Sequence, residues 1–178
     1  MTVRPRQVLI AVSICTAVIA LVWGLASPGD GGVGPGSAAP QFRAQTVDAP
    51  VETRTLADYH GDVVLLNVWA TWCPPCLEEM PTMQQLHEAY ADRGLRVVAV
   101  SVDDAGAGDD IREFRAEQGL TFDILHDPAS AIFDTYQLLS GVPQTFLIDR
   151  KGVIRLVRFA ADWFTPEHRS EVEKLLGE

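Results

Sequence analysis

Apolar and polar positions alternate in several distinct patterns along this chain. Residues 8–26, VLIAVSICTAVIALVWGLA, carry no charge, and a stretch of that length can cross a bilayer core as a helix. Residues 63–69 and 95–102 are apolar at nearly every position, which predicts strands buried on both faces. From residue 74 to 93 the spacing becomes helical, with Leu77, Met80, Met83, Leu86 and Tyr90 along one side; Pro81 lies inside and predicts a kink. Shorter patterns predict strands over 42–47, 52–56 and 122–125, a turn over 56–61 and a short helix over 129–137. Residues 144–149 and 153–159 form a hairpin around Arg150-Lys151-Gly152. Thr165-Pro166 starts a last helix that docks through Val172, Leu175 and Leu176. Residues 103–110, DDAGAGDD, read as a solvated loop, because the acids lack the EF-hand arrangement. Asp110 then caps a helix, with Glu113 completing a capping box, Ile111 and Phe114 on its apolar side and Gly119 ending it. This β and α alternation with a terminal hairpin predicts a three-layer α/β domain with a mixed sheet.

The junction between the strand at 63–69 and the helix carries the chemistry. Asn67-Val68-Trp69-Ala70-Thr71-Trp72-Cys73-Pro74-Pro75-Cys76-Leu77-Glu78-Glu79 ends a strand at a polar bend and places two cysteines where a helix begins. Positions i and i+3 share a helix face, so Cys73 and Cys76 can close a small disulfide ring. Cys73 stands at the helix entrance, where free N–H groups and the macrodipole favour a thiolate. Cys76 lies one turn inside, so one sulfur attacks and the other resolves. Pro74 and Pro75 suit a first turn but remove two donors. The Cys73 pKa is therefore expected to fall less than at sites with a His between the cysteines, and the couple to act as a reductant. Glu79 reaches the same face as Cys76; with its pKa raised by a partly apolar site it would accept the Cys76 proton. The plainer reading of Glu79 is a solvated carboxylate, as Glu78 is read. Trp72 is expected to cover the site and offer an apolar contact surface, Trp69 to serve the core, and Trp163-Phe164 fits either a docking patch or core.

Ala70-Thr71-Trp72-Cys73-Pro74-Pro75-Cys76 with Glu79-Met80-Pro81, and Gly141-Val142-Pro143-Gln144-Thr145-Phe146-Leu147-Ile148-Asp149 later, resemble the membrane-anchored thioredoxin-like thiol-disulfide oxidoreductases of bacteria. The similarity covers roughly residues 38 to 178 and is nearest the branch that reduces apocytochrome c during cytochrome c maturation. The resemblance implies a thioredoxin-like sandwich with an N-terminal β extension. It also implies a cis-proline at Pro143 beside the cysteines, with Val142 offering its backbone to an extended substrate segment. An aspartate linked to proton transfer in thioredoxin is matched here by Asn67, which cannot titrate. The partners implied are apocytochrome c or other disulfide-bearing exported proteins, copper-site assembly factors among them, and a membrane thiol-disulfide electron donor.

Composition narrows the alternatives. The net charge is −10 over 178 residues, so nucleic acid is not an expected partner. Three cysteines, Cys15, Cys73 and Cys76, make no disulfide framework. Scattered histidines and the lack of a second cysteine pair argue against zinc, and Leu77 stands where a c-type haem attachment needs His. No organic or metal cofactor is implied. A peroxidase is not favoured, because Leu66 replaces the proline of the peroxiredoxin pattern. Arg4 and Arg6 before the apolar stretch, and Asp30 after it, predict a cytoplasmic n-region at 1–7, a signal anchor at 8–26, a flexible Gly/Pro/Ser tether at 27–40 and an extracytoplasmic domain at 41–178. Cleavage after Gly24-Leu25-Ala26 is the rival reading of that stretch, and Cys15 reads as a small apolar helix residue. From a different functional class, a non-catalytic module that holds a client or copper ion through Cys73 and Cys76 fits the same motif.

Overall fold

The computed structural model describes residues 32–138 and 140–178. The elements are β1 (Arg43–Thr46), β2 (Thr53–Thr55), a 3-10 turn (Leu56–Tyr59), β3 (Val63–Trp69), α1 (Pro74–Tyr90), a second 3-10 turn (Ala91–Arg93), β4 (Leu95–Ser101), α2 (Gly108–Glu117), β5 (Asp123–His126), α3 (Ala131–Thr135), β6 (Gln144–Ile148), β7 (Ile154–Arg158) and α4 (Pro166–Leu176). They form one seven-stranded sheet in the order β2-β1-β5-β4-β3-β6-β7. The β3–β4 and β4–β5 pairs are parallel and the other four antiparallel, so the sheet is mixed.

The unbroken apolar run of β3 has its cause in this topology. Every residue of β3 is buried, including Asn67. A strand with no solvent face has no use for polar alternation. Its register sets the site: Trp69 lies opposite Ser101 of β4, and Asn67 lies opposite Thr145 of β6. Met80, Met83, Leu86 and Tyr90 of α1 are buried as their spacing requires, and Leu77 packs at the core's margin. The helix continues through Pro81, whose missing N–H leaves the Leu77 carbonyl without its usual partner. α4 begins as expected, with Thr165 Oγ1 accepting the His168 N–H and Pro166 in the first turn. It docks on α1, where the Tyr90 hydroxyl donates to Glu173 at 2.6 Å.

Several expectations need correction. α2 starts at Gly108 with Ala107 as its unbonded cap, so Asp110 sits inside the first turn and the Asp110–Glu113 capping box does not form. Two first-turn carboxylates, Asp109 and Asp110, favour the positive end of the helix without capping it. The acidic loop is not wholly solvated either: Asp103 is 2% exposed. The last part of the expected tether is held in place. Gly36 N–H donates to the Ile154 carbonyl at 2.8 Å, Ile154 N–H to Ser37, and Ala39 N–H to Gly152. A segment too polar for a core still satisfies the open backbone groups of an edge strand, here β7. The compact unit therefore runs from Gly32 to Glu178. Trp163 is core: it is fully buried, its ring 4.7 Å from that of His168, while Phe164 is half-buried beneath Arg169. The expected anchor at 8–26, with Cys15, lies outside the described residues. Among those described, no helix is long and apolar enough to cross a membrane.

Candidate active site

Cys73 is the N-cap of α1 and is joined to Cys76 by a disulfide, S–S 2.04 Å. Pro74 and Pro75 occupy the first two helical positions, and the Cys76 N–H is taken by the Cys73 carbonyl at 3.0 Å. The first turn thus has no spare amide to solvate a Cys73 thiolate, and only the helix field favours it. Cys76 is fully enclosed, whereas Cys73 keeps 4% exposure beside Trp72, which is 66% exposed. Trp69 belongs to the core, its ring 5.2 Å from that of Phe114.

Glu79 is buried, not solvated. Lying one turn after Cys76 on the same face of α1, it is 3% exposed. Asn67 Nδ2 donates to Glu79 Oε1 at 2.6 Å and to Thr145 Oγ1 at 2.8 Å. The Ala161 N–H donates to Glu79 Oε2 at 3.2 Å. Burial raises the Glu79 pKa to about 7, against the opposing pull of the Ala161 and Asn67 hydrogen bonds. A carboxylate so poised takes and gives a proton near neutral pH. A cleft of about 280 Å³ lined by Pro75, Glu78, Glu79, Thr82, Ala160, Ala161 and Asp162 opens beside it. Glu78 itself is exposed, in line with its solvated reading.

A second buried carboxylate fixes the bend between β3 and Cys73. Asp103 accepts the Thr71 N–H at 3.0 Å, the Thr71 hydroxyl at 2.7 Å and the Ser101 hydroxyl at 2.6 Å. Its own carbonyl meets His126 Nε2 at 2.9 Å. Trp72 and Cys73 follow directly on Thr71, so this clamp sets the segment that presents them. On the other side the Val142–Pro143 peptide is cis, as the resemblance implies, and leads into β6. Pro143 is buried and Val142 half-buried. Sequence reasoning named Cys73, Cys76, Glu79, Asn67 and Pro143 but missed Thr145, the Ala161 amide and the Asp103 clamp. Their contacts depend on strand register and loop path across 32 to 82 residues of chain, which local patterns do not encode. Among the described residues no group of three or more His, Cys, Asp or Glu side chains could hold a metal ion.

Comparison with known proteins agrees with this architecture. The AhpC/TSA family model matches residues 35–157. The thiol-disulfide oxidoreductase ResA of Oceanobacillus iheyensis is 40% identical over 121 residues, 67% of this chain but only 62% of its relative's length. The thioredoxin-like protein YneN of Bacillus subtilis is 42% identical over 125 residues, 70% of this chain and 71% of its own. Among solved structures, a candidate thiol:disulfide interchange protein DsbE from Chlorobium tepidum superposes with a TM-score of 0.65 at 32% identity, covering 80% of this chain and 94% of that one. With a Cys-Pro-Pro-Cys pair at the mouth of α1, a mixed sheet behind it and these relatives, the chain belongs to the AhpC/TSA family and has its thioredoxin-like fold.

Proposed function

We propose that this protein is a thiol-disulfide oxidoreductase that reduces protein disulfides outside the cytoplasmic membrane, with the haem-site cysteines of apocytochrome c as its substrate. The observation that carries the redox reading is the Cys73–Cys76 disulfide at the α1 entrance, next to a buried carboxyl group whose pKa is raised to about 7. In the reduced protein the Cys73 thiolate attacks one sulfur of a client disulfide. A Cys73–client bond forms, the client S–S bond breaks, and the released client thiolate takes up a proton. Cys76 then loses its proton to the Glu79 carboxylate and attacks Cys73 Sγ. This closes the Cys73–Cys76 disulfide and frees the second client thiolate, so two electrons pass from the cysteine pair to the client. A membrane thiol-disulfide donor returns the pair to the dithiol.

The direction, reduction rather than oxidation, is supported by the two prolines that strip amides from the first turn. The client class is supported by the motif resemblance, and the thiol-disulfide chemistry by the relatives named thiol-disulfide oxidoreductase ResA. Export is supported by the uncharged stretch at 8–26 with Arg4 and Arg6 before it. Reduction of other exported clients, such as copper-site assembly factors, uses the same chemistry, and a holding module would bind without turnover. Insulin reduction with excess dithiothreitol separates these classes: the catalytic reading predicts many turnovers per protein, and a single stoichiometric adduct would overturn it.

A further inference from the structure

Phe159 and Trp72 are large apolar side chains left exposed, at 51% and 66%. The register places Phe159 near the redox site. Gln144 lies opposite Val68 and Thr145 opposite Arg158, so β7 ends beside the start of β6, one residue after Pro143. Between them lies a cleft of about 370 Å³ lined by Ser140, Gln144, Val157, Arg158 and Phe159. Arg158 donates from Nη1 to the Val157 carbonyl at 3.0 Å and pairs with no carboxylate among the described residues. Among the described residues Arg54, Arg96, Arg112, Arg115 and Arg155 do, while Arg43, Arg93, Arg150 and Arg169 do not. Of the described arginines without a carboxylate partner, Arg158 has an exposed aromatic, Phe159, as its neighbour in the chain, in a protein of net charge −10. The cleft at Pro75 has the opposite character, with Glu78, Glu79 and Asp162 on its walls.

We propose that the Arg158–Phe159 cleft binds the client segment next to its disulfide and selects an acidic side chain there. Arg158 meets the carboxylate, and Phe159 and Val157 cover an apolar neighbour. The carboxylates of the Pro75 cleft repel the same acidic residue and so fix which way the client lies. This rests on the reading of the protein as a reductase of protein disulfides.

The test uses the reduced full chain in detergent and three disulfide-bonded peptides that differ in one residue flanking a cysteine: Glu, Ala or Lys. Second-order exchange rates are compared within each variant, so that partial loss of fold cancels from the ratio. The Glu peptide is expected to react about threefold to fivefold faster than the Lys peptide, the span of a partly exposed ion pair. Arg158→Glu reverses that order and Arg158→Lys keeps it, while Arg54→Glu, the same charge change on β2, leaves the order as it was. Equal rates for all three peptides, or an order indifferent to Arg158→Glu, would overturn the cleft assignment and leave the reductase reading standing. Failure to exchange with any peptide, while hydroxyethyl disulfide still reacts, would overturn both.

Discussion

Replacing Glu79 by Gln gives two signals that must agree. Folding moves this carboxyl from an ordinary 4.5 to about 7, chiefly by burial. The native chain therefore binds the proton more tightly than the unfolded chain. The stability linked to that proton is complete below pH 4.5 and is lost as pH rises through about 7. At about 1.4 kcal/mol per pKa unit, the loss across this window is about 3 kcal/mol. Glu79→Gln removes the titration, and its Oε1 can still accept from Asn67 Nδ2. Urea unfolding of the oxidised protein and the variant, from about pH 4 to about pH 8, reads the difference between them, so other titrating groups cancel. The wild type should lose about 3 kcal/mol relative to the variant over that range. The same substitution removes the proton acceptor for Cys76, so release of a preformed Cys73 mixed disulfide should slow by about a hundredfold near neutral pH and lose its inflection near 7. A stability difference that stays flat with pH would show that Glu79 ionises like a surface carboxyl. A flat difference together with an unchanged release rate would refute its proton role.

Other outcomes follow from the same contacts. Asn67→Asp puts a second carboxyl within hydrogen-bond reach of Glu79, where Asn67 Nδ2 now sits at 2.6 Å. The two should titrate as a coupled pair with one proton held well above pH 7, seen as a second step in the pH dependence of unfolding. Asp103→Ala strands the Thr71 N–H and two hydroxyls in a buried site and should cost about 3 kcal/mol in urea unfolding, with Asp103→Asn recovering part of it. Titration of the Cys73 thiol by absorbance should give a pKa well above the value of about 3.5 found in strongly oxidising Cys-x-x-Cys proteins, because Pro74 and Pro75 supply no amide to the thiolate.

Much of the fold was legible because the strongest signals were local. The run at Val63–Trp69 is apolar throughout because both sheet faces are covered there, and its observed limits match those expected. Thr165-Pro166 capped α4 as its chemistry predicts. The less legible features depend on contacts between distant segments. Asp103 looked solvated among glycines and aspartates, yet its neighbour in space is Thr71, which only the β3–β4 register reveals. Residues 36–39 looked like a tether by composition, but backbone pairing with β7 needs no apolar side chains. Glu79 stood out from its spacing to Cys76, while the partners that hold it, Asn67 and Ala161, come from the central strand and the loop after β7. Trp163 could not be placed from sequence, since its burial depends on that same loop folding over α1, where its backbone N–H donates to Thr82 Oγ1 at 3.0 Å.

Trapping with Cys76→Ser shows whether Cys73 attacks a client disulfide and Cys76 resolves the adduct. With the resolving thiol gone, reduced protein mixed with a disulfide-bearing apocytochrome c peptide should stall as a mixed disulfide, and peptide mapping by mass spectrometry should find the client cysteine on Cys73. An absence of any adduct under conditions where the wild type oxidises to its internal disulfide would contradict the account.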